Sequence, residues 1–184
     1  MTDVKEYREK AKSLLCEWKG ERYAFGIGCI DRVGDFAEKE GKSCMICVTG
    51  WGEEKWIEPF VEEIKASIEK KGVTILDIIK GARPNAPRED VFRIANQISK
   101  KRPASIIGVG GGSTIDAVKA ASVLATLDPD DVEPYFGVGL VTERLKKEEK
   151  KLFSVIAVQT AASSGAHLTK YSNITDPLKG QKKL

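Results

Sequence analysis

Short apolar runs alternate with segments of helical periodicity along this chain, and this alternation constrains the fold more than any other feature. Between the runs, apolar residues recur at the spacing of one helix face. Strands joined through helices pair in parallel, and continuous apolar runs are typical of strands covered on both faces. The sequence therefore predicts an α/β fold with a doubly wound, mostly parallel sheet and helices on both faces.

Glycine, proline and polar clusters set the predicted boundaries. The predicted strands are residues 22–25, 43–49, 73–79, 105–109, 151–158 and 171–175. The predicted helices are residues 4–18, 30–40, 53–71, 91–98 and 113–127. In a sheet of this class, ligands bind beyond the carboxyl ends of the strands.

Length and charge limit the class of protein. A chain of 184 residues can bury one sizeable core, so residues 1–184 are predicted to form a single domain. Its 30 Lys and Arg residues against 27 Asp and Glu residues leave a net charge of +3, which favours neither nucleic acid nor a membrane as partner. The charged N-terminal segment is unlike a secretory signal, and no apolar run has the length of a membrane span. We therefore expect a cytoplasmic protein.

The four cysteines include a C-x-x-C pair, Cys44 and Cys47. The pair lies inside the predicted strand 43–49, where residues three apart point to opposite faces, so the two thiols cannot bind one metal ion together. A redox pair of this spacing lies at a helix N-terminus instead. The cysteines are therefore predicted to be reduced and structural.

The strongest candidate site is the segment in which an apolar strand runs into Gly110, Gly111 and Gly112 and then into a helix. Glycines let a ligand approach the backbone closely. Ser113 and Asp116 have the spacing of a capping box. The free N–H groups and the dipole of such a helix start favour an anion, and a pyrophosphate is the natural ligand.

Other glycine-rich motifs fit less well. The chain contains no G-x-x-x-x-G-K-[ST] string, which excludes a P-loop. The usual dinucleotide fingerprint opens the first strand–helix unit, whereas this triple glycine follows a late strand. A glycine-rich turn that only permits close packing is the competing interpretation.

The string Gly110-Gly111-Gly112-Ser113 with Asp116 and Lys119 resembles the hallmark G-G-G-S-x-x-D-x-x-K of the iron-containing alcohol dehydrogenase family. Further segments resemble the same family: Phe25-Gly26 with Gly28 its opening strand and turn, Pro84-Asn85 its Pro-Asn-Pro loop, and residues 157–176 its T-T-A-G-T-G-S-E-V-T segment ending in I-T-D. The resemblance covers the whole chain.

The resemblance implies an N-terminal Rossmann-like domain that binds NAD or NADP. Gly110, Gly111, Gly112 and Ser113 would hold the pyrophosphate, and Asp116 belongs to the same motif. The positions that match residues bordering the cofactor are Asn85, Thr160, Ser164 and Lys182, with Lys183 as a second source of charge. Gly50 stands where an aspartate after the second strand is associated with NAD preference, so NADP(H) is expected to bind at least as well as NAD(H).

The resemblance also implies what this chain lacks. Family members hold Fe²⁺, or sometimes Zn²⁺, with one aspartate and three histidines in a helical second domain that follows the matched segment. This chain has one histidine and ends at Leu184. We therefore predict no metal ligands and no catalytic residues here. In the complete enzyme, hydride transfer between a small alcohol or aldehyde and the nicotinamide is implied.

His167 stands where the family often has a glutamate. Its ordinary pKa near neutrality suits a general base beside the nicotinamide, but a structural hydrogen-bonding role is the favoured interpretation. Ser163 and Ser164 suggest a hydrolase, yet no G-x-S-x-G elbow surrounds them.

Three alternatives stay open at this stage. Glycerol dehydrogenases and dehydroquinate-synthase-like proteins share the fold, and a stand-alone nucleotide-binding module would share the glycine motif. A homodimer is compatible with all of them.

Overall fold

The computed structural model of the chain describes residues 4–127, 130–162, 164–176 and 180–184. The helices are α1 Val4–Lys19, α2 Val33–Glu40, α3 Glu58–Glu69, α4 Arg88–Lys101, α5 Gly112–Thr126 and α6 Leu140–Lys147. The strands are β1 Ser43–Val48, β2 Thr74–Lys80, β3 Ser105–Gly110, β4 Ser154–Gln159, β5 Ile174–Asp176 and β6 Gln181–Lys183.

Four strands form a parallel sheet in the order β2-β1-β3-β4. Each strand connects to the next through helical segments, as parallel pairing requires. In register, Val48 lies between Lys80 of β2 and Val109 of β3, so these strands end side by side. The predicted parallel α/β fold is confirmed.

Helices cover both faces of the sheet, because β1 and β3 send successive side chains to opposite sides. On one face, Met45, Cys47 and Ile106 pack with α4 and α5. On the other face, the apolar side chains of α2 and α3 pack against the sheet; the strand residues in that core are Cys44, Ile46, Val48, Ile107 and Val109. The two cores make this the doubly covered sheet that the apolar runs predict.

The two strand cysteines lie in different cores, as predicted. Cys44 belongs to the α2–α3 side and Cys47 to the α4–α5 side, and both are fully buried and free. Burial raises the pKa of Cys44 to about 11 and that of Cys47 to about 12, so both are neutral thiols.

Two predicted strands differ from the structure. Residues 22–25 form no strand: a 3₁₀ turn at Gly20–Arg22 leads into unpaired chain, and Phe25 is exposed. A strand forms only where a neighbouring strand pairs with it, and a run of four residues cannot ensure that pairing. Here Tyr23 stacks on His167 instead. The run 171–175 shortens to β5, which pairs antiparallel with β6 outside the main sheet.

Helices α1 and α6 contain no buried residues. The apolar spacing of residues 4–18 predicts α1, whereas α6 is not predicted from the sequence. In the part of the chain that the structure describes, no helix is long and apolar enough to cross a membrane.

Candidate functional site: the carboxyl edge of the parallel sheet

The four parallel strands end at one edge of the sheet, and the candidate residues follow them there. The last residues of the strands are Val48, Lys80, Gly110 and Gln159. Backbone hydrogen bonds hold the next residues in place: Thr49 N–H donates to the Val109 carbonyl at 2.9 Å, and Thr160 N–H to the Gly110 carbonyl at 3.0 Å. The residues that follow β1 and β4 are therefore held in place by the neighbouring strand β3.

Helix α5 opens toward this edge. Gly111 is its N-cap, and the first helical backbone bond joins Ile115 N–H to the Gly111 carbonyl at 3.2 Å. The N–H groups before Ile115 have no partner within the helix, and the helix dipole adds positive potential around them. A free helix start beside strand ends is suited to an anion.

The predicted capping box is wrong. Ser113 lies inside the first turn rather than at the N-cap, and no side chain caps α5. The N-cap residue Gly111 has extended backbone angles (φ −78°, ψ −173°) and no side chain that could accept a hydrogen bond from the first N–H groups of the helix. The Ser113 hydroxyl is thereby free to bond to another loop.

The three glycines differ in what they permit. A Cβ atom at Gly112 would lie 2.5 Å from Ser164 Oγ, and one at Gly110 would lie 3.0 Å from the Thr114 Cβ, so close packing requires both glycines. At Gly111, the nearest atom to such a Cβ is that of Ala161, at 3.6 Å. Packing thus explains two of the glycines, whereas a Cβ at Gly111 would make only an ordinary van der Waals contact with Ala161, so packing does not require that glycine.

Asn85 lies against the start of α5. Its N–H donates to Ser113 Oγ at 2.9 Å, and its carbonyl accepts from Thr175 Oγ1 at 2.8 Å. Asn85 has left-handed backbone angles (φ 66°), which asparagine tolerates better than most residues. The Ser113 hydroxyl accepts the bond from Asn85 N–H, so its own O–H remains able to donate to an anion. The structure thus brings together two sequence-predicted residues that are 28 positions apart.

Asp116 and Lys119 form a tie to the segment after β4. Their side chains pair at 2.9 Å between Oδ1 and Nζ, and Lys119 also donates to the Ala166 carbonyl at 2.8 Å and to that of Tyr171. Asp116 Oδ2 accepts from Asn173 N–H at 3.2 Å. Both motif side chains therefore hold the 166–173 segment against α5.

Ser164 faces the glycine turn through the contact with Gly112 described above. Its Oγ accepts from Ala166 N–H at 3.1 Å, and its carbonyl accepts from Gln159 Nε2. Thr160 is exposed beside it at the end of β4. Ser163 lies outside the described residues.

His167 is partly buried and packs on Tyr23. The rings stack with centroids 5.8 Å apart, and the Tyr23 hydroxyl lies 3.4 Å from His167 Nε2. Burial lowers the pKa of His167; the charges of Lys119 and Lys19 act in the same direction, and the Ser164 backbone opposes them. The contact with Tyr23 supports the structural interpretation.

Gly50 begins the turn after β1 with left-handed backbone angles (φ 63°). Its carbonyl accepts from Glu53 N–H at 2.9 Å and from Glu54 N–H at 2.8 Å. A Cβ at Gly50 would lie 2.6 Å from Glu54 Cγ. The turn therefore offers only backbone atoms at Gly50, and its carboxylates follow at Glu53 and Glu54.

The two C-terminal lysines have different surroundings. Lys182 pairs in register with Thr175 across the β5–β6 hairpin and is exposed. Lys183 is bound elsewhere, since its Nζ lies 2.8 Å from Glu133 Oε2. Of the two, Lys182 has no carboxylate partner among the residues that the structure describes, and Thr175 links its hairpin to Asn85.

Two further residues at this edge, Lys80 and Arg93, are not singled out by any motif in the sequence. Lys80 ends β2 and forms an ion pair with Glu53, and Arg93 donates to the Lys80 carbonyl at 2.8 Å. The signal for Lys80 was a lysine that directly follows the apolar run 73–79. Arg93 had no comparable signal, because a charged residue on a helix is usually solvated.

A metal site does not fit the described part of the chain. Among residues 4–127, 130–162, 164–176 and 180–184, no group of three or more His, Cys, Asp or Glu side chains could hold a metal ion.

The chain is similar to curated alcohol dehydrogenases. The chain is 26% identical over 152 residues to "Alcohol dehydrogenase 4" of Schizosaccharomyces pombe, covering 83% of this chain and 33% of that protein. It is 25% identical over 155 residues to the "NADPH-dependent butanol dehydrogenase" of Clostridium saccharobutylicum, covering 83% and 36%. The chain thus spans about a third of the length of these relatives.

The chain is also similar to solved structures. The crystal structure of sulfoacetaldehyde reductase from Bifidobacterium kashiwanohense, in complex with NAD+, is 27% identical with a TM-score of 0.66 and matches 86% of this chain and 39% of that one. The family model described as "Iron-containing alcohol dehydrogenase" matches residues 20–184. Together with the glycine turn at the sheet edge, this match shows that the chain belongs to the iron-containing alcohol dehydrogenase family.

Proposed function

We propose that residues 1–184 form the dinucleotide-binding domain of an alcohol or aldehyde oxidoreductase and bind NAD(P)(H) at the carboxyl edge of the sheet. The observation that carries this proposal is the start of α5 after β3, where no side chain caps the helix, the first N–H groups have no partner within the helix, and packing does not require the glycine at position 111. Comparison supports it, because one relative is named as NADPH-dependent and one solved relative holds NAD+.

Each side of the turn has a distinct task in this proposal. The backbone of Gly111 and Gly112 and the Ser113 hydroxyl bind the pyrophosphate. Asn85 positions Ser113, and Thr160 and Ser164 border the nicotinamide half. Gly50 borders the adenosine half, and Lys182 supplies a positive charge beyond Asn85. Asp116 acts indirectly, since with Lys119 it holds the segment that contains Ser164 and His167.

The bound nicotinamide would supply hydride transfer to or from the substrate carbon. The residues of this chain would bind and orient the cofactor. His167, whose pKa is lowered, is neutral at pH 7 and fixes the loop through Tyr23 rather than carrying a charge into the site. Because the described residues offer no metal-binding group, we propose that Fe²⁺ or Zn²⁺ has no ligands within this chain and that the chain by itself binds cofactor without turnover.

Direct titration tests the proposal. NADH and NADPH fluorescence, measured with increasing concentrations of the chain, should show saturable binding of at least one dinucleotide. Adenosine alone, which lacks the pyrophosphate, should compete poorly. Absence of saturable binding for both dinucleotides would disprove the proposed function.

A further inference from the structure

Lys80 ends β2 beside the turn that follows β1. Val48 and Lys80 are in register, and Gly81 N–H donates to the Val48 carbonyl at 2.6 Å. In α/β dinucleotide sites, the side chain that recognises the ribose 2′ position comes from a strand end next to the pyrophosphate-binding strand. Strand β1, which lies between β2 and β3, is that neighbour here.

The Lys80 ammonium reaches the turn after β1, because it forms an ion pair with Glu53 of that turn. Both side chains are accessible to solvent, with relative exposures of 40% and 62%. The backbone beneath them is fixed: Arg93 donates to the Lys80 carbonyl at 2.8 Å and to the Gly81 carbonyl at 2.7 Å. The Lys80 ammonium, carried by a hydrogen-bonded backbone, therefore lies where the 2′-phosphate of a bound NADP(H) would be expected.

The ion pair leaves this cation exchangeable. An exposed lysine–carboxylate pair contributes little free energy, because water and salt screen both charges, so a stronger anion can replace the carboxylate. A phosphate monoester carries about −1.5 to −2 charges at neutral pH, against a single charge on Glu53. Gly50, the first residue of the turn, has no side chain with which to repel that phosphate.

We propose that Lys80 is the specificity-determining residue for NADP(H): its ammonium leaves Glu53 and binds the 2′-phosphate of the adenosine ribose. This inference rests on the proposed cofactor site, and it assigns that site a preference and a residue. Glu53 competes with the phosphate for Lys80 and so weakens NADP(H) binding rather than binding the ribose itself.

Three substitutions test the assignment. NADPH and NADH are titrated separately, and 2′,5′-ADP and 5′-ADP serve as probes that lack the nicotinamide. Lys80→Gln should weaken NADPH and 2′,5′-ADP about ten-fold and change NADH and 5′-ADP by less than about two-fold. Lys80→Arg keeps the charge and should keep the preference. Glu53→Gln should strengthen NADPH binding several-fold, because the competing carboxylate is gone.

Lys65→Gln is the matched control. Lys65 pairs with Glu62 on α3 at 2.9 Å, with exposures of 30% and 63%, so this substitution removes the same charge from a similar ion pair. It should leave the affinity ratio of NADPH to NADH unchanged.

The outcomes separate this inference from the proposed function. Equal loss of both dinucleotides in Lys80→Gln, or no loss, overturns the role of Lys80 while cofactor binding stands. A wild-type preference for NADH that disappears in Glu53→Gln also overturns it, because Glu53 then binds the ribose. Wild-type protein that binds neither dinucleotide overturns both.

Discussion

The backbone N–H of Asn85 and the hydroxyl of Ser113 form a 2.9 Å hydrogen bond that joins the loop after β2 to the first turn of α5. The same loop residue accepts from Thr175, so three segments meet at Asn85. This junction fixes the loop after β2 against the N-terminal turn of α5, beside the candidate cofactor site.

Ser113→Ala should weaken both the junction and the cofactor site. The substitution removes the acceptor of the Asn85 N–H, a loss of about 0.5–1.5 kcal/mol in the free energy of unfolding. It also removes a donor to the pyrophosphate, so dinucleotide affinity should fall several-fold. Urea unfolding and NADPH titration measure the two effects. Ser99→Ala on α4 is the control, and equal affinities in wild type and Ser113→Ala would contradict the role of the hydroxyl.

Gly111→Val should abolish measurable dinucleotide binding while the fold is kept. Its backbone angles are accessible to any residue, and a Cβ there meets only Ala161 at 3.6 Å, so the added side chain mainly fills the space needed by the pyrophosphate. The expected contrast is Gly112→Ala, whose Cβ would lie 2.5 Å from Ser164 Oγ and should lower stability. Calorimetry that finds unchanged affinity in Gly111→Val would remove the triple glycine from the site.

Gly50→Asp should shift the cofactor preference toward NAD(H). Since the left-handed angles at Gly50 and the contact with Glu54 add strain to any side chain, Gly50→Asn serves as the uncharged control of the same shape. Relative to Asn, the Asp variant should bind NADPH about ten-fold more weakly, or on the order of 1–2 kcal/mol, through like-charge repulsion. Identical NADPH to NADH ratios in the two variants would show that charge at this position is not sensed.

The purified 184-residue chain should oxidise no primary alcohol, with or without added Fe²⁺ or Zn²⁺. The reason is that the described residues contain no group of side chains able to hold the metal. Reduction of NAD+ or NADP+ is followed by absorbance against a control without protein. Metal-dependent turnover above that control would show that the chain contains a metal site.

Stability should depend on pH through His167, the one histidine of the chain. Burial lowers its pKa in the folded state, so the unfolded chain binds the proton more readily. The stability associated with neutral His167 is therefore complete above its ordinary value of 6.5 and declines as the pH falls below it.

Two measurements check this prediction. The imidazole signal in an NMR titration should give a pKa below 6.5, the ordinary value. The difference in unfolding free energy between wild type and His167→Gln should shrink between about pH 7.5 and pH 5.5. A folded-state pKa at or above the ordinary value would mean that the ring is hydrated or paired with a carboxylate.

Local patterns were sufficient for the architecture. The run 73–79 became β2, which lies half-buried at the edge of the sheet. The runs 43–49 and 105–109 became β1 and β3 because a strand buried on both faces must be apolar throughout, a requirement visible in a few residues. The same holds for the opposite placement of Cys44 and Cys47, which follows from the two-residue period of a strand. The glycine turn between β3 and α5 is likewise predicted from a short stretch of sequence, the three consecutive glycines after an apolar run.

The partners of the polar side chains required the folded chain. A serine three residues before an aspartate suggests a capping box, yet Ser113 bonds to Asn85 and Asp116 to Lys119 and Asn173. Residues 22–25 have strand-like composition, but no neighbour pairs with them among the described residues. Lys80 reaches Glu53 only because β1 and β2 end in register. Strand and helix preferences act over a few residues, whereas these contacts depend on how distant segments are brought together, which no short stretch of sequence encodes.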